Sequence, residues 1–298
     1  MNYLKKVELE SQLPFEIVSY EESLDEGLIE LVETNPEQAM SWGYEAFDNK
    51  LYILPQLIVI SITKSTLVNQ LAQNISRQFI VKFTLEDRHQ DIKKKELYYK
   101  IKLRKMKLKN YPINEFMINI VIDENELNTA REQLAKDNKN IYEIKKNSEK
   151  RINIDDLETL VKQLINKSKL IIIDHLNEFE MTDKERNDLK VESTMYKIKD
   201  IGRRYNVAII LVAHYKKLGK DTEPNDESFK DSMAIAHVAN KVIHLYRDKL
   251  SEDGLTDVII TKNRDNPNGT RLELNYNKET IYENIKSKKQ LEKENKMF

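Results

Sequence analysis

Residues 57–71 read LIVISITKSTLVNQL. Leu57–Ser61 has the apolar run of a buried strand, Thr63-Lys64-Ser65-Thr66 is polar, and an amphipathic stretch follows that predicts a helix over Ser65–Gln78. Working outward, Phe79–Leu85, Glu115–Ile122, Leu170–Ile173 and Val207–Ala213 are further segments dominated by Ile, Val, Leu and Phe. Strands buried on both faces have this character, which predicts a mainly parallel sheet covered by helices. The stretches between them fit helices at Arg88–Leu108, Glu124–Asp137, Ile154–Asn166 and Asp183–Tyr205. Strands alternating with helices make an α/β fold. The last segments, Lys241–Tyr246, Asp257–Lys262 and Arg271–Tyr276, lie close together. The turn residues Asp265-Asn266-Pro267-Asn268-Gly269 predict a C-terminal antiparallel hairpin.

Composition narrows the class. The chain has 298 residues, 40% of them hydrophobic, so a sizeable core is within reach. Six Gly and six Pro exclude collagen-like and low-complexity chains. No Cys is present, which removes disulfides, thiolate metal sites and Cys nucleophiles. The apolar runs fall far short of the ~18 residues that cross a bilayer, and nothing near Met1 resembles a signal peptide. The expectation is a cytoplasmic protein with no membrane partner. Net charge is −1, but residues 1–40 hold Lys5 and Lys6 against ten acids, and residues 93–109 hold nine basic residues against Glu96. A charge run is ordinarily a solvated face; a nucleic-acid or partner surface is the alternative. Residues 1–40 read as an acidic extension with a linker helix near 23–33, and 286–298 as a charged tail.

Five positions carry candidate chemistry. Lys64 and Ser65, between a buried strand and a helix, stand where a phosphate-binding loop places a lysine against β/γ-phosphates and a hydroxyl on Mg²⁺, at a helix N-terminus. Thr63 and Thr66 flank them. The full signature GxxxxGK[ST] is absent: Thr63 replaces its last Gly, and its first would fall at Ile58, inside the strand. Only Ile62 and Thr63 separate strand from lysine, a reach of about 7 Å, and neither has glycine's freedom at positive φ. Asp174 ends LIIID, the pattern of a carboxylate that holds Mg²⁺ through water, or of a strand-end turn cap. Glu86 follows the second strand and is a candidate general base or an ordinary surface Glu. His214 ends IILVA, as a γ-phosphate sensor or a structural histidine. Lys262 and Arg264 share one strand face by the period of two; they could reach a neighbouring subunit's nucleotide or be edge-strand charges.

Taken in order, lysine-serine, glutamate after the next strand, aspartate, histidine, then KxR before a hairpin, the chain resembles the DnaB-like (superfamily 4) replicative helicases, nearest the branch of phage primase-helicases and mitochondrial Twinkle. The resemblance runs from Ser41 to Glu283, about four-fifths of the chain. Ser41-Trp42-Gly43-Tyr44…Phe47-Asp48 resembles the segment before the first strand, Leu67–Asn74 the helix after the phosphate loop, Ser228–Asp248 the segment ending in LYRD, and Gly269–Glu283 the closing hairpin.

The resemblance implies a RecA-like P-loop NTPase core over 41–285 that uses ATP or another NTP with Mg²⁺ and works on single-stranded DNA as a homo-oligomer, a hexameric ring. Lys64 and Ser65 would contact phosphate and Mg²⁺, Glu86 would be the base, Asp174 the Walker B acid, His214 the sensor, and Lys262 with Arg264 would act in trans. DNA loops would follow Asp174 and His214, making Lys216, Lys217 and Lys220 candidates for strand phosphates. Primase or other replication proteins are implied partners, and residues 1–40 stand in the place of a larger relative's N-terminal domain. Two departures accompany it. The glycine-rich loop is shortened by about four residues relative to the signature, and Asp231 and Met233 occupy positions where the family has glycines. A non-catalytic relative that keeps fold, oligomerisation or DNA binding is therefore the alternative; a RecA-fold recombination or clock-type ATPase is a further one, from which Glu86 and the closing hairpin lean away.

Overall fold

β1 (Leu57–Ser61), β4 (Leu170–Asp174) and β5 (Ala208–Ala213) are buried at every position, as their unbroken apolar runs require of strands covered on both faces. They sit at the centre of a sheet that also contains β2 (Ile80–Thr84), β3 (Ile141–Lys145), β6 (Lys241–Tyr246), β7 (Leu255–Asn263), β8 (Thr270–Tyr276) and β9 (Tyr282–Asn284). The order is β3-β2-β4-β5-β1-β6-β7-β8-β9. Every pairing from β3 to β6 is parallel, and those of β6–β7, β7–β8 and β8–β9 are antiparallel. The computed structural model describes residues 24, 40–48, 51–61, 72–75, 80–84, 89–104, 124–145, 152–164, 168–176, 179–180, 187–216, 222–229, 233–246, 255–265, 269–276 and 282–284.

The helices are α1 (Glu45–Asp48), α2 (His89–Arg104), α3 (Glu124–Asp137), α4 (Ile154–Leu164), α5 (Asn187–Arg204) and α6 (Ala234–Val238), with a 3₁₀ turn at Asp226–Ser228. α3 has the predicted bounds, with Glu124 and Glu126 in its first turn and Lys136 in its last, each charge opposing the helix dipole. Asn153 and Asp156 cap α4 reciprocally: Asp156 N donates to Asn153 Oδ1 at 2.8 Å and Asn153 N to Asp156 Oδ2 at 3.3 Å.

Strand alternation sorts the sheet into two faces. Val81, Phe83, Ile171, Ile173, Ile209 and Leu211 share one, and they pack into one core with Leu157 and Val161 of α4, Val191, Met195 and Ile198 of α5, and Ile235 and Val238 of α6. The other face carries Ile58, Ile60, Ile172 and Val212, and also Lys82 and Asp174, by the same register. Residues 72–73, α2 and α3 lie over its β2–β3 end.

The segment before β1 folds around Asp48. Trp42 N donates to Asp48 Oδ1 and Ser41 Oγ to Oδ2, both at 2.6 Å. Gly43 has φ +72°, and a Cβ there would lie 2.5 Å from Asn74 Cβ, so only glycine fits. This joint docks residues 41–48 against the helical residues 72–74.

By contact pattern the chain divides into Met1–Met40 and Ser41–Phe298. Of the first unit only Leu24, which is helical, and Met40 are described; the rest of the predicted linker helix, the predicted strand at 115–122 and the tail at 286–298 lie outside the described residues. β3, β9 and α6 were not expected from sequence. The α/β fold, the mainly parallel sheet and the C-terminal antiparallel hairpin are as expected.

Candidate active site

In a parallel sheet, ligands bind beyond the carboxyl ends of the strands, where successive crossovers leave for opposite faces. The register brings four such ends to one edge. Ser61 of β1 pairs with Ala213 of β5, Thr84 of β2 pairs with Asp174 of β4, and Ile173 pairs with Leu211. From β1 the chain passes to the face of Lys82, and from β4 it passes to α5 on the other. Thr63, Lys64, Ser65 and Thr66 begin two residues past β1, and Glu86 two past β2; these five lie outside the described residues.

Asp174 and His214 are described. Asp174 ends β4 and is 5% exposed. His214 follows β5 directly and is half-buried. Between them stands His175, which sequence reasoning passed over although it adjoins Asp174. Its ring packs edge to face on His214 with centroids 4.4 Å apart and planes at 89°. A buried carboxylate beside two imidazoles therefore closes the strand edge. Mg²⁺ keeps several waters and takes one or two carboxylates plus substrate phosphates. Asp174 supplies one such carboxylate, and among the described residues no group of three or more His, Asp or Glu forms a cage of its own. This donor set fits an ion carried in with phosphates.

The segment after His214 is tied down at three points. Tyr215 O–H donates to Ser61 O, the last carbonyl of β1, at 3.1 Å, and lies 3.4 Å from Leu245 O. Burial pushes its phenol well above the ordinary value. Lys216 N donates to Ser228 O at 2.9 Å, beside a Tyr215–Phe229 bridge. Asp226 Oδ1 accepts from Thr261 Oγ1 at 2.5 Å and lies 3.3 Å from Nε2 of the fully buried His244. Lys216 itself is exposed; Lys217 and Lys220 lie outside the described residues.

Lys262 and Arg264 are at the opposite edge, because β7 runs antiparallel: Val242, at the start of β6, pairs with Lys262. They do not share one strand face as the period of two suggested. β7 ends at Asn263, a register shift falls between Val242 and Ile243, and Arg264 lies in the following bend. The two cations also differ in engagement. Lys262 Nζ donates to Ala236 O at 2.9 Å and His237 O at 2.7 Å, capping α6. Lys199 of α5 adds a donor to Val238 O at 2.8 Å. Burial, then the charge of Arg264, lowers the ammonium pKa of both lysines. The Arg264 guanidinium is exposed, without a hydrogen bond or ion pair among the described residues.

With the edge geometry established, comparison with known proteins decides the family. The family model "DnaB-like helicase C terminal domain" matches residues 42–284. The chain belongs to the DnaB-like helicase C-terminal domain family. Among solved structures it is similar to an isolated ATPase domain, with TM-score 0.70, 18% identity, 91% of this chain and 100% of that chain covered. It is also similar to a DnaB-like replicative helicase whose interactions with primase were described, with TM-score 0.71, 17% identity, and 94% of this chain and 70% of that one covered. At such identities these likenesses speak for the RecA-like fold alone. No curated protein sequence matches. Membership in this DnaB-like family covers the fold, nucleotide use and a place in DNA replication. No described helix is long and apolar enough to cross a membrane.

Proposed function

We propose that this chain is an ATP-dependent DNA helicase or translocase that hydrolyses ATP at interfaces between subunits of a ring, hexameric as in the reading from sequence, and moves on single-stranded DNA. The observation that carries the reading is the edge itself: Asp174 ends β4, His214 directly follows the neighbouring β5, and β1 and β2 end beside them, two residues before Thr63 and Glu86 in the sequence.

In this reading Lys64 and Ser65, with Thr63 and Thr66 beside them, meet the phosphates. Asp174 and Ser65 would hold Mg²⁺, which would supply positive charge against the phosphates. Glu86 takes the proton of the attacking water, and His214 reports the state of the site through Tyr215 to the segment at 215–229, where Lys216, Lys217 and Lys220 face DNA. Arg264 reaches the neighbouring subunit's nucleotide from the opposite edge, and Lys262 sets its base. Residues 1–40 form a separate acidic extension, 41–285 the ATPase domain and 286–298 a charged tail. Primase or another replication protein is a partner of the assembly, which works in the cytoplasm.

The test is ATP turnover with and without single-stranded DNA, beside Lys64→Ala. DNA-stimulated turnover lost in that variant supports the reading; no turnover with any nucleotide and metal overturns it. A second reading, a non-catalytic family member, is favoured by one observation: Thr63 and Ile58 stand where the phosphate loop has glycines. It predicts no thermal shift with ATP–Mg²⁺, whereas ligand at 100 times Kd adds about 2.7 kcal/mol.

A further inference from the structure

Lys82 stands in the middle of β2, between Val81 and Phe83, and is 2% exposed. The space it faces is the layer between the sheet and helices α2 and α3, where an α/β protein ordinarily packs apolar side chains. Here that layer holds a cavity of about 340 Å³. Its walls include Lys82 and Glu143 of paired strands, Lys93 and Glu96 of α2, Arg131 of α3, and Asn138 in the turn after α3. An open, mostly apolar cleft with a few convergent polar groups is the usual form of a small-molecule site.

The charges say which ligand. Glu143 Oε1 lies 2.8 Å from Lys93 Nζ and 3.7 Å from Lys82 Nζ, and Lys93 Nζ is also 2.8 Å from Glu96 Oε2. Among the described residues two carboxylates and three cations line the space, and the charge of Asp174 also acts on Lys82. Arg131, the third, is exposed and makes no ion pair among the described residues. Asn138 Oδ1 is buried without a hydrogen-bond partner among the described residues, an acceptor ready for a hydroxyl or amine. An exposed guanidinium at the wall, outside these ion pairs, favours a planar or tetrahedral oxyanion. The volume is that of small-molecule sites. Leu97, Leu134 and Ile141 provide apolar walls for a carbon skeleton.

We propose that this cavity binds a small organic oxyanion, a carboxylate or phosphate ester of metabolite size, at a site separate from the strand edge that Asp174 closes. The anion rests between Lys82 and Arg131, and its hydroxyl or amine groups meet Asn138 and the carboxylates. A buried cation is kept in β2 because the ligand needs it, although an apolar side chain would pack there at less cost. This site does not depend on the helicase reading.

The experiment is calorimetric titration of the full chain with inorganic phosphate, glucose 6-phosphate and citrate. At least one binds at one site per chain, and which one separates phosphate from carboxylate recognition. Arg131→Ala, on an exposed helix position that leaves folding intact, weakens binding by about tenfold or more, the scale of a charged hydrogen bond. Lys82→Met does the same, and Lys64→Ala leaves it unchanged. In ¹³C spectra of labelled lysine, the bound ligand raises the midpoint of Lys82 titration. Failure of all three probes to bind at millimolar concentration overturns the proposal. So does binding that Lys64→Ala removes and Arg131→Ala spares, or a crystal soaked with the binding probe that shows only water in the cavity.

Discussion

Asp265 ties the turn that bears Arg264 to the start of β6: its Oδ2 lies 2.8 Å from Nζ of Lys241, whose side chain is 1% exposed. The same oxygen accepts from Gln56 Nε2 at 3.0 Å, and Arg264 N donates to Asn240 O at 3.3 Å. Among the described residues Lys241 has one further acceptor, Tyr52 O at 2.7 Å. Asp265→Asn removes the charge that balances a buried ammonium. Because Asp265 is partly exposed, the expected loss is about 2 kcal/mol, below that of a fully buried pair. Urea unfolding checks this, and an unchanged midpoint refutes it.

The different engagement of Lys262 and Arg264 predicts different phenotypes. Arg264→Ala removes an exposed guanidinium that has no hydrogen bond or ion pair among the described residues, so stability stays within about 0.5 kcal/mol. On the proposed function, ATP turnover falls by ~10³ or more, the scale of an arginine finger. Lys262→Met frees two carbonyls at the end of α6 and costs about 1 kcal/mol of stability. Thermal melts beside ATPase rates on each variant separate the two. A melt shift in Arg264→Ala larger than that in Lys262→Met reverses the assignment.

Much of this architecture was legible because burial on both faces writes itself as an unbroken apolar run: β1, β4 and β5 needed no other signal. β3 (IYEIK) is an edge strand with Tyr142 exposed, and its two charges masked it. β9 is only three residues long. Asp174 and His214 were visible because each ends such a run. His175 and Tyr215 were not, since an edge-to-face ring contact or a hydrogen bond to a carbonyl 154 residues away leaves no local pattern. The Lys262–Arg264 face assignment failed because the period of two assumes a continuing strand, and β7 stops between them.

Asp226 predicts an acid dependence. Its hydrogen bond with His244, then that from Thr261, holds the carboxyl below the usual value against the opposing effect of burial. A carboxyl depressed on folding contributes stability that is fully present above its unfolded pKa of 3.8 and disappears as pH falls through the lower folded value. Asp226→Asn therefore costs about 1 kcal/mol at pH 7 and flattens the stability curve below pH ~4. Urea midpoints between pH 2.5 and 7 read it. Parallel curves for the two proteins contradict it.

Lys82 predicts the opposite end of the scale. Burial lowers its ammonium pKa below 10.5, more than Glu143 and Glu96 raise it. The unfolded chain then binds the proton more tightly than the folded one, so stability rises as pH climbs from the folded pKa toward 10.5. Lys82→Met abolishes that rise. At neutral pH it leaves Glu143 still paired to Lys93 at 2.8 Å and removes a desolvated charge. The expected change is between zero and about 2 kcal/mol of added stability. Urea unfolding at pH 7 and pH 10 on both proteins measures the two effects together. A loss beyond about 2 kcal/mol at pH 7 would show instead that the ammonium holds the β2–β3 edge in place. The stabilised outcome means that this lysine is retained at a cost to the fold, as expected of a residue kept for what it binds.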